Sequence, residues 1–160
     1  MNKRTARCWL GAIAAAWLMV GTAQGADTRS PAATDRLAPA RSQIAHKNWP
    51  AAIAELGRLN DTGSADWQNL MGYSLRKNQP PDHAAAERHY DEALRINPQH
   101  RGALEYSGEL YLLTNRLPLA EARLATLDKA CRLPCDEYTD LKRAIAHHKS
   151  KEQPPEPAKR

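Results

Sequence analysis

Small and apolar residues recur along the chain at a spacing that predicts helices. Ala52, Ala86 and Ala120 follow one another at intervals of 34 residues, and a large apolar or aromatic side chain comes four positions after each. A third residue of the set comes three positions later, and intervals of four and three place side chains on one helix face. No stretch of four or more residues alternates between apolar and polar side chains. The pattern predicts an all-α protein.

Prolines and polar residues indicate where these helices begin and end. Pro50 and Pro118 each precede one of the repeated alanines by two residues, in a first turn where proline loses no hydrogen bond. Ser64 is a suitable N-cap for a helix through "WQNLMGYSLRK", and Asn97 with Pro98 ends the helix "EALRI". A further apolar helix precedes each of the later alanines, so the chain is predicted to consist of helix pairs.

Nine positions of this pattern resemble the signature of the tetratricopeptide repeat, a helix–turn–helix unit of about 34 residues. They are Ala52, Gly72, Ala86, Tyr90, Ala93, Pro98, Gly108, Tyr111 and Ala120. The resemblance covers about residues 34–131. It implies an all-α solenoid of about three helix–turn–helix repeats over residues 34–148, in which a C-terminal helix with Tyr138, Leu141 and Ile145 on one face caps the stack.

Stacked helix pairs of this family form a groove that is lined by the first helix of each pair and binds a peptide or protein partner. The spacing assigns seven residues to the groove, namely Asn69, Tyr73, Arg76, Lys77, Glu105, Glu109 and Leu112. This surface is basic at one end and acidic at the other, and Tyr73, Arg76 and Lys77 are expected to select the partner's charge. The resemblance implies a protein-binding module, while a solvated surface charge is the alternative for each residue alone.

The first 25 residues are typical of a cleavable signal peptide. Three basic residues lie within the first seven positions, and an uncharged apolar run spans residues 8–20. Small residues then precede an expected cleavage site between Gly25 and Ala26. The apolar run is shorter than the roughly 20 residues that span a membrane. We therefore expect a periplasmic or secreted protein that is not inserted in the membrane after cleavage, with an uncleaved anchor as the alternative.

Both ends of the mature chain are predicted to lie outside the folded domain. Residues 26–33 are expected to form a flexible leader, and residues 149–160 contain three prolines and few apolar side chains, which favours disorder. Removal of residues 1–25 lowers the formal net charge from +5 to +2, because three basic residues and no acidic residue leave. The remaining charge is weak evidence for nucleic-acid binding, and we expect no nucleic-acid partner.

Cys131 and Cys135 are the two cysteines of the mature chain, and they flank a proline-containing break before the last predicted helix. In an oxidising compartment the pair favours a disulfide that fixes the angle of that helix. A redox-active pair is one alternative, because Cys135 would lie at a helix N-terminus. A zinc site that recruits His147 and His148 is another, although adjacent helix residues point about 100° apart.

Motifs for catalysis are missing from the sequence. It contains neither a nucleophile elbow nor a glycine-rich phosphate loop, and its other histidines are scattered. We therefore expect no enzyme, no cofactor and no bound metal ion. The sequence predicts an exported scaffold that binds a partner in the cell envelope. A thiol–disulfide or metal-handling protein centred on Cys131 and Cys135, or a structural subunit of an envelope assembly, are the alternatives.

Overall fold

A computed structural model describes residues 35–133 and 135–152, and seven α-helices account for most of them. They are α1 (Ala38–Ala45), α2 (Trp49–Leu59), α3 (Ala65–Lys77), α4 (His83–Ile96), α5 (Arg101–Leu113), α6 (Leu117–Ala130) and α7 (Asp136–Glu152). The all-α prediction is confirmed for this part of the chain. The predicted signal peptide, the leader and the tail beyond residue 152 lie outside the described residues. None of the helices in the described ranges is both long and apolar enough to cross a membrane.

Local sequence determines where several helices begin. A proline lies in the first turn of α2 and of α6, as the sequence predicted. The Ser64 hydroxyl accepts a hydrogen bond of 3.3 Å from the Trp67 amide at the start of α3. At the start of α4, the Asp82 carboxylate accepts one of 2.8 Å from the Ala85 amide. These side chains satisfy amide groups that have no acceptor within their own helix.

The helices pack in sequential pairs, α1 with α2, α3 with α4 and α5 with α6, and successive pairs meet through α2 and α3 and through α4 and α5. The last helix, α7, packs against both α5 and α6. Since α2, α4 and α6 begin at residues 49, 83 and 117, the 34-residue spacing of the sequence is also the spacing of the helix pairs. The arrangement is consistent with a helical-repeat protein.

Eight of the nine signature positions are buried. The three alanines of the 34-residue spacing have no exposed surface. Gly72 lies so close to α4 that an added Cβ would be 2.9 Å from the Tyr90 ring and 3.0 Å from the carbonyl oxygen of Ala86. The exception is Pro98, which lies in the exposed turn after α4. The glycine and alanine residues of the signature, such as Gly72 and Ala86, allow the two helices of a pair to approach closely.

A close contact holds α7 against α5. Gly108 is buried, and an added Cβ there would lie 2.6 and 2.7 Å from the two methyl carbons of Leu141. Leu141 is fully buried and shares an apolar cluster with Leu104 of α5. Ile145 of the same cluster follows Tyr111 by 34 residues, so α7 continues the spacing of the preceding helices.

A disulfide between Cys131 and Cys135 joins the end of α6 to the start of α7, with the two α-carbons 6.0 Å apart. The bridge that the sequence favoured is therefore present, and it links the last helix pair to α7. One predicted boundary was wrong, because α7 continues to Glu152 and residues 149–152 are helical. Lys149 in this last part of α7 pairs with Glu121 of α6, which connects it to the folded domain.

Candidate functional site

Arg76, near the C-terminal end of α3, has a guanidinium that is buried between helices. Its side chain is 3% exposed, and its Nη2 donates a hydrogen bond of 2.7 Å to Oε2 of Glu109 on α5. The guanidinium carbon also lies 5.5 Å from the ring centre of Tyr73 and 5.6 Å from that of Tyr106. At these separations the aromatic rings attract the cation. One charged side chain therefore connects the first helices of two successive pairs.

Three half-buried aromatic rings form a row beside this ion pair. Trp49 of α2 meets Tyr73 edge to face at a centroid distance of 5.8 Å, and Tyr73 lies 4.6 Å from Tyr106. Tilted and edge-to-face rings at such distances attract each other. Burial and the neighbouring Glu105 carboxylate raise the pKa of Tyr106 to about 12, so its hydroxyl keeps its proton at neutral pH. The row thus offers neutral rings from three helices.

A cleft of ≈ 340 Å³ opens next to Arg76, between the C-terminal parts of α3, α5 and α7. Its lining combines basic and apolar side chains, chiefly Arg76, Lys77, Lys151, Leu112, Leu113 and Ala144. Leu113 is 61% exposed, which makes it one of the few large apolar side chains on the described surface. The Lys77 ammonium lies 5.7 Å from the centre of the Tyr73 ring. The cleft is therefore contiguous with the aromatic row and has both an apolar wall and cationic groups.

Carboxyl groups gather around Glu105 of α5. Burial raises the pKa of Glu105 to about 8 with the help of the carboxylates of Glu109, Asp140 and Glu137, while Arg76 acts in the opposite direction. Desolvation and like charges both disfavour an ionised carboxylate. At neutral pH the Glu105 side chain therefore holds its proton, and the net negative charge between α5 and α7 is smaller than the number of acidic residues suggests.

The raised pKa of Glu105 predicts that stability falls as the pH rises. In the unfolded chain this carboxyl ionises near its ordinary pKa of about 4.3, whereas the folded protein holds the proton until about pH 8. The folded state thus binds more protons between these two values, and the free energy of unfolding decreases across that range. We expect Glu105→Gln to be more stable than the wild type at pH 9 by about 1–2 kcal/mol, allowing for partial solvent screening.

Urea unfolding at pH 5 and at pH 9 measures this difference. Glu121→Gln removes an exposed carboxylate of α6 and serves as the control, with the same offset from the wild type expected at both pH values. An equal offset at both pH values for Glu105→Gln would contradict the prediction.

The structure brings four of the seven groove residues predicted from the sequence to the cleft, namely Arg76, Lys77, Glu109 and Leu112. Tyr73 contacts both Arg76 and Lys77 through its ring. Glu105 and Asn69 are buried, and the Asn69 amide nitrogen lies 3.0 Å from the position of a Cβ on Gly102. These last two residues therefore belong to contacts between helices more than to an accessible surface.

Sequence reasoning missed four residues of this region, namely Trp49, Tyr106, Leu113 and Lys151. Trp49 belongs to the second helix of its pair, and Lys151 falls in the segment that was expected to be disordered. The rule that first helices line the groove therefore excluded Trp49, and the expected disorder excluded Lys151. Leu113 could have been found, because it follows the buried Leu112 and adjacent helix positions point about 100° apart.

No protein-family model matches the chain, and no curated protein is significantly similar to it. The resemblance to tetratricopeptide repeats therefore rests on the residue pattern and on the helix pairs. Within the described ranges, no group of three or more His, Cys, Asp or Glu side chains is arranged to hold a metal ion. Cys131 and Cys135 are bonded to each other, so their sulfur atoms are not thiolate ligands in this structure.

Proposed function

We propose that this protein is an exported, tetratricopeptide-like binding module that holds a segment of an envelope partner in the cleft between α3, α5 and α7. The observation that carries the proposal is the convergence of Arg76, Lys77, Glu109 and Leu112 on one cleft, since repeat spacing alone had selected them. The sequential helix pairs and the buried signature positions support the family resemblance. Apolar side chains of the partner would be buried against the leucines, and the lysines at the rim would select its charge.

Reversing the charge of Lys77 and Lys151 together should weaken partner capture. Both side chains are exposed, so Lys77→Glu with Lys151→Glu changes the cleft without opening the core. Charge reversal at an interface places like charges opposite each other, and we expect capture of specific partners to fall at least roughly 10-fold. Affinity capture from the envelope fraction with the immobilised protein, followed by quantitative mass spectrometry, measures the change.

A second double variant, Arg88→Glu with Lys129→Glu, is the matched control. It makes the same change of net charge at exposed positions of α4 and α6 that do not line the cleft. Its capture profile should equal that of the wild type, and both double variants should melt within about 2 °C of it. Equal capture profiles for the two double variants would exclude the cleft as the binding surface.

Export is the second part of the proposal, and the N-terminal sequence supports it. On expression in a Gram-negative bacterium we expect a periplasmic protein whose first residue is Ala26. A charge in the apolar run should prevent export, so Ala15→Asp is expected to leave the uncleaved precursor in the cytoplasm. Ala33→Asp lies beyond the apolar run and should be exported normally. N-terminal sequencing after cell fractionation tests this, and a cytoplasmic wild-type chain that keeps residues 1–25 would contradict it.

A further inference from the structure

The charges in the cleft are not compensated equally. Arg76 is paired with Glu109 at 2.7 Å, and Glu109 is the only acidic residue among the described residues that line the cleft. Lys77 and Lys151 are exposed, and neither forms an ion pair with another described side chain. Among the described side chains, the rim therefore carries two positive charges without a paired carboxylate, and a concentration of one sign of charge in a cleft attracts the opposite charge.

Apolar surface borders these two lysines. Leu113 of α5 lines the cleft and is 61% exposed. Ala144 of α7 also contributes an apolar side chain to the lining. Removing such a surface from water favours binding of an aliphatic group. The cleft volume of ≈ 340 Å³ lies at the lower end of the range for ligand sites, roughly 300–1,000 Å³. Its size therefore fits a few side chains of one peptide segment.

We propose that the cleft binds a partner segment in which an aspartate or glutamate lies within about one helical turn of leucine, isoleucine or methionine. The partner's carboxylate pairs with Lys77 and Lys151, and its aliphatic side chain covers Leu113. This inference rests on the proposed binding function and adds the chemistry of the partner. A nucleic acid fits less well, because its binding draws on many phosphate contacts and the cleft supplies few cations.

Selection from a phage-displayed library of random peptides, with the exported chain immobilised, tests the proposal. Enriched peptides should contain an acidic residue close to an aliphatic one. For a fluorescein-labelled enriched peptide, replacing its acid by the corresponding amide should raise the Kd about 10-fold or more. Lys77→Glu with Lys151→Glu should have a similar effect, and Leu113→Ser should weaken binding about 5-fold. Arg88→Glu with Lys129→Glu should leave the Kd unchanged.

The outcomes separate this inference from the function on which it rests. Enriched peptides that lack acidic residues, but still require Leu113, would overturn the proposed partner chemistry and leave the binding function in place. No enrichment above an empty surface would overturn both. Binding to phosphatidylglycerol vesicles that depends on Lys77 and Lys151, without any enriched peptide, would assign these charges to a membrane surface and also overturn the inference.

Discussion

Replacing Arg76 by glutamate should lower the free energy of unfolding by about 3–5 kcal/mol, the usual cost of leaving a buried charge without its partner. The guanidinium is 3% exposed and neutralises Glu109 at 2.7 Å. A glutamate in its place would put a third carboxyl group beside Glu109 and Glu105, where burial already raises the pKa of Glu105 to about 8. Urea unfolding followed by far-ultraviolet circular dichroism measures the loss.

An exposed ion pair with the same separation as Arg76 and Glu109 provides a control. Arg95 and Glu92 of α4 are also 2.7 Å apart, but the Arg95 side chain is 72% exposed. Arg95→Glu should therefore leave the free energy of unfolding almost unchanged, because water screens an exposed ion pair. Equal losses for Arg76→Glu and Arg95→Glu would show that solvent reaches the Arg76 site and would remove the electrostatic basis of the candidate site.

A double-mutant cycle separates the charge of Arg76 from its packing. Arg76→Met keeps a long side chain between Tyr73 and Tyr106 but leaves the Glu109 carboxylate without its counterion. Glu109→Gln removes this carboxylate. We expect a coupling free energy of about 1–3 kcal/mol between the two substitutions, because the residues are in direct contact. A change at the buried Arg76 would alter folding and binding together, whereas Lys77 and Lys151 are exposed.

The helices and their order could be predicted from local features of the sequence. The intervals of four and three residues after each repeated alanine, the prolines in the first turns of α2 and α6, and the cap of Ser64 on α3 each act within one or two helical turns. Two small residues of the repeat signature, Gly72 and Gly108, lie where an added Cβ would come within 3.0 Å of a neighbouring helix. The disulfide at the junction of α6 and α7 is also a local feature, because its two cysteines are only four residues apart in the sequence.

The candidate site was harder to predict because its residues come from distant parts of the chain. The sequence placed Arg76 in the groove, but its burial depends on Glu109, which is 33 residues away, and on Tyr106. Trp49 joins the aromatic row from the preceding helix pair. Lys151 reaches the cleft only because α7 continues beyond its expected end. Spacing identifies which face of a helix is turned inward, whereas the neighbours of that face depend on how the pairs stack.

Gly72→Ala should destabilise the protein, although alanine is the better helix former. The new Cβ would lie 2.9 Å from the Tyr90 ring and 3.0 Å from the Ala86 carbonyl oxygen, and both of these residues have no exposed surface. Overpacking of this kind costs typically about 1–3 kcal/mol. The displacement would also reach the candidate site, because the Tyr90 hydroxyl is buried beside Arg76, whose charge acts against the rise in the pKa of Tyr90 caused by burial.

Gly57→Ala in α2 provides the opposite case within the same fold. A Cβ at Gly57 would meet nothing within 4 Å, so only the helix propensity changes. We expect this variant to gain about 0.5–1 kcal/mol. Thermal unfolding of both variants gives the comparison, with Gly72→Ala melting below the wild type and Gly57→Ala above it. A Gly72→Ala protein that melts as high as Gly57→Ala would show that α3 and α4 can move apart without loss of stability. The close approach of these two helices would then not require glycine at position 72.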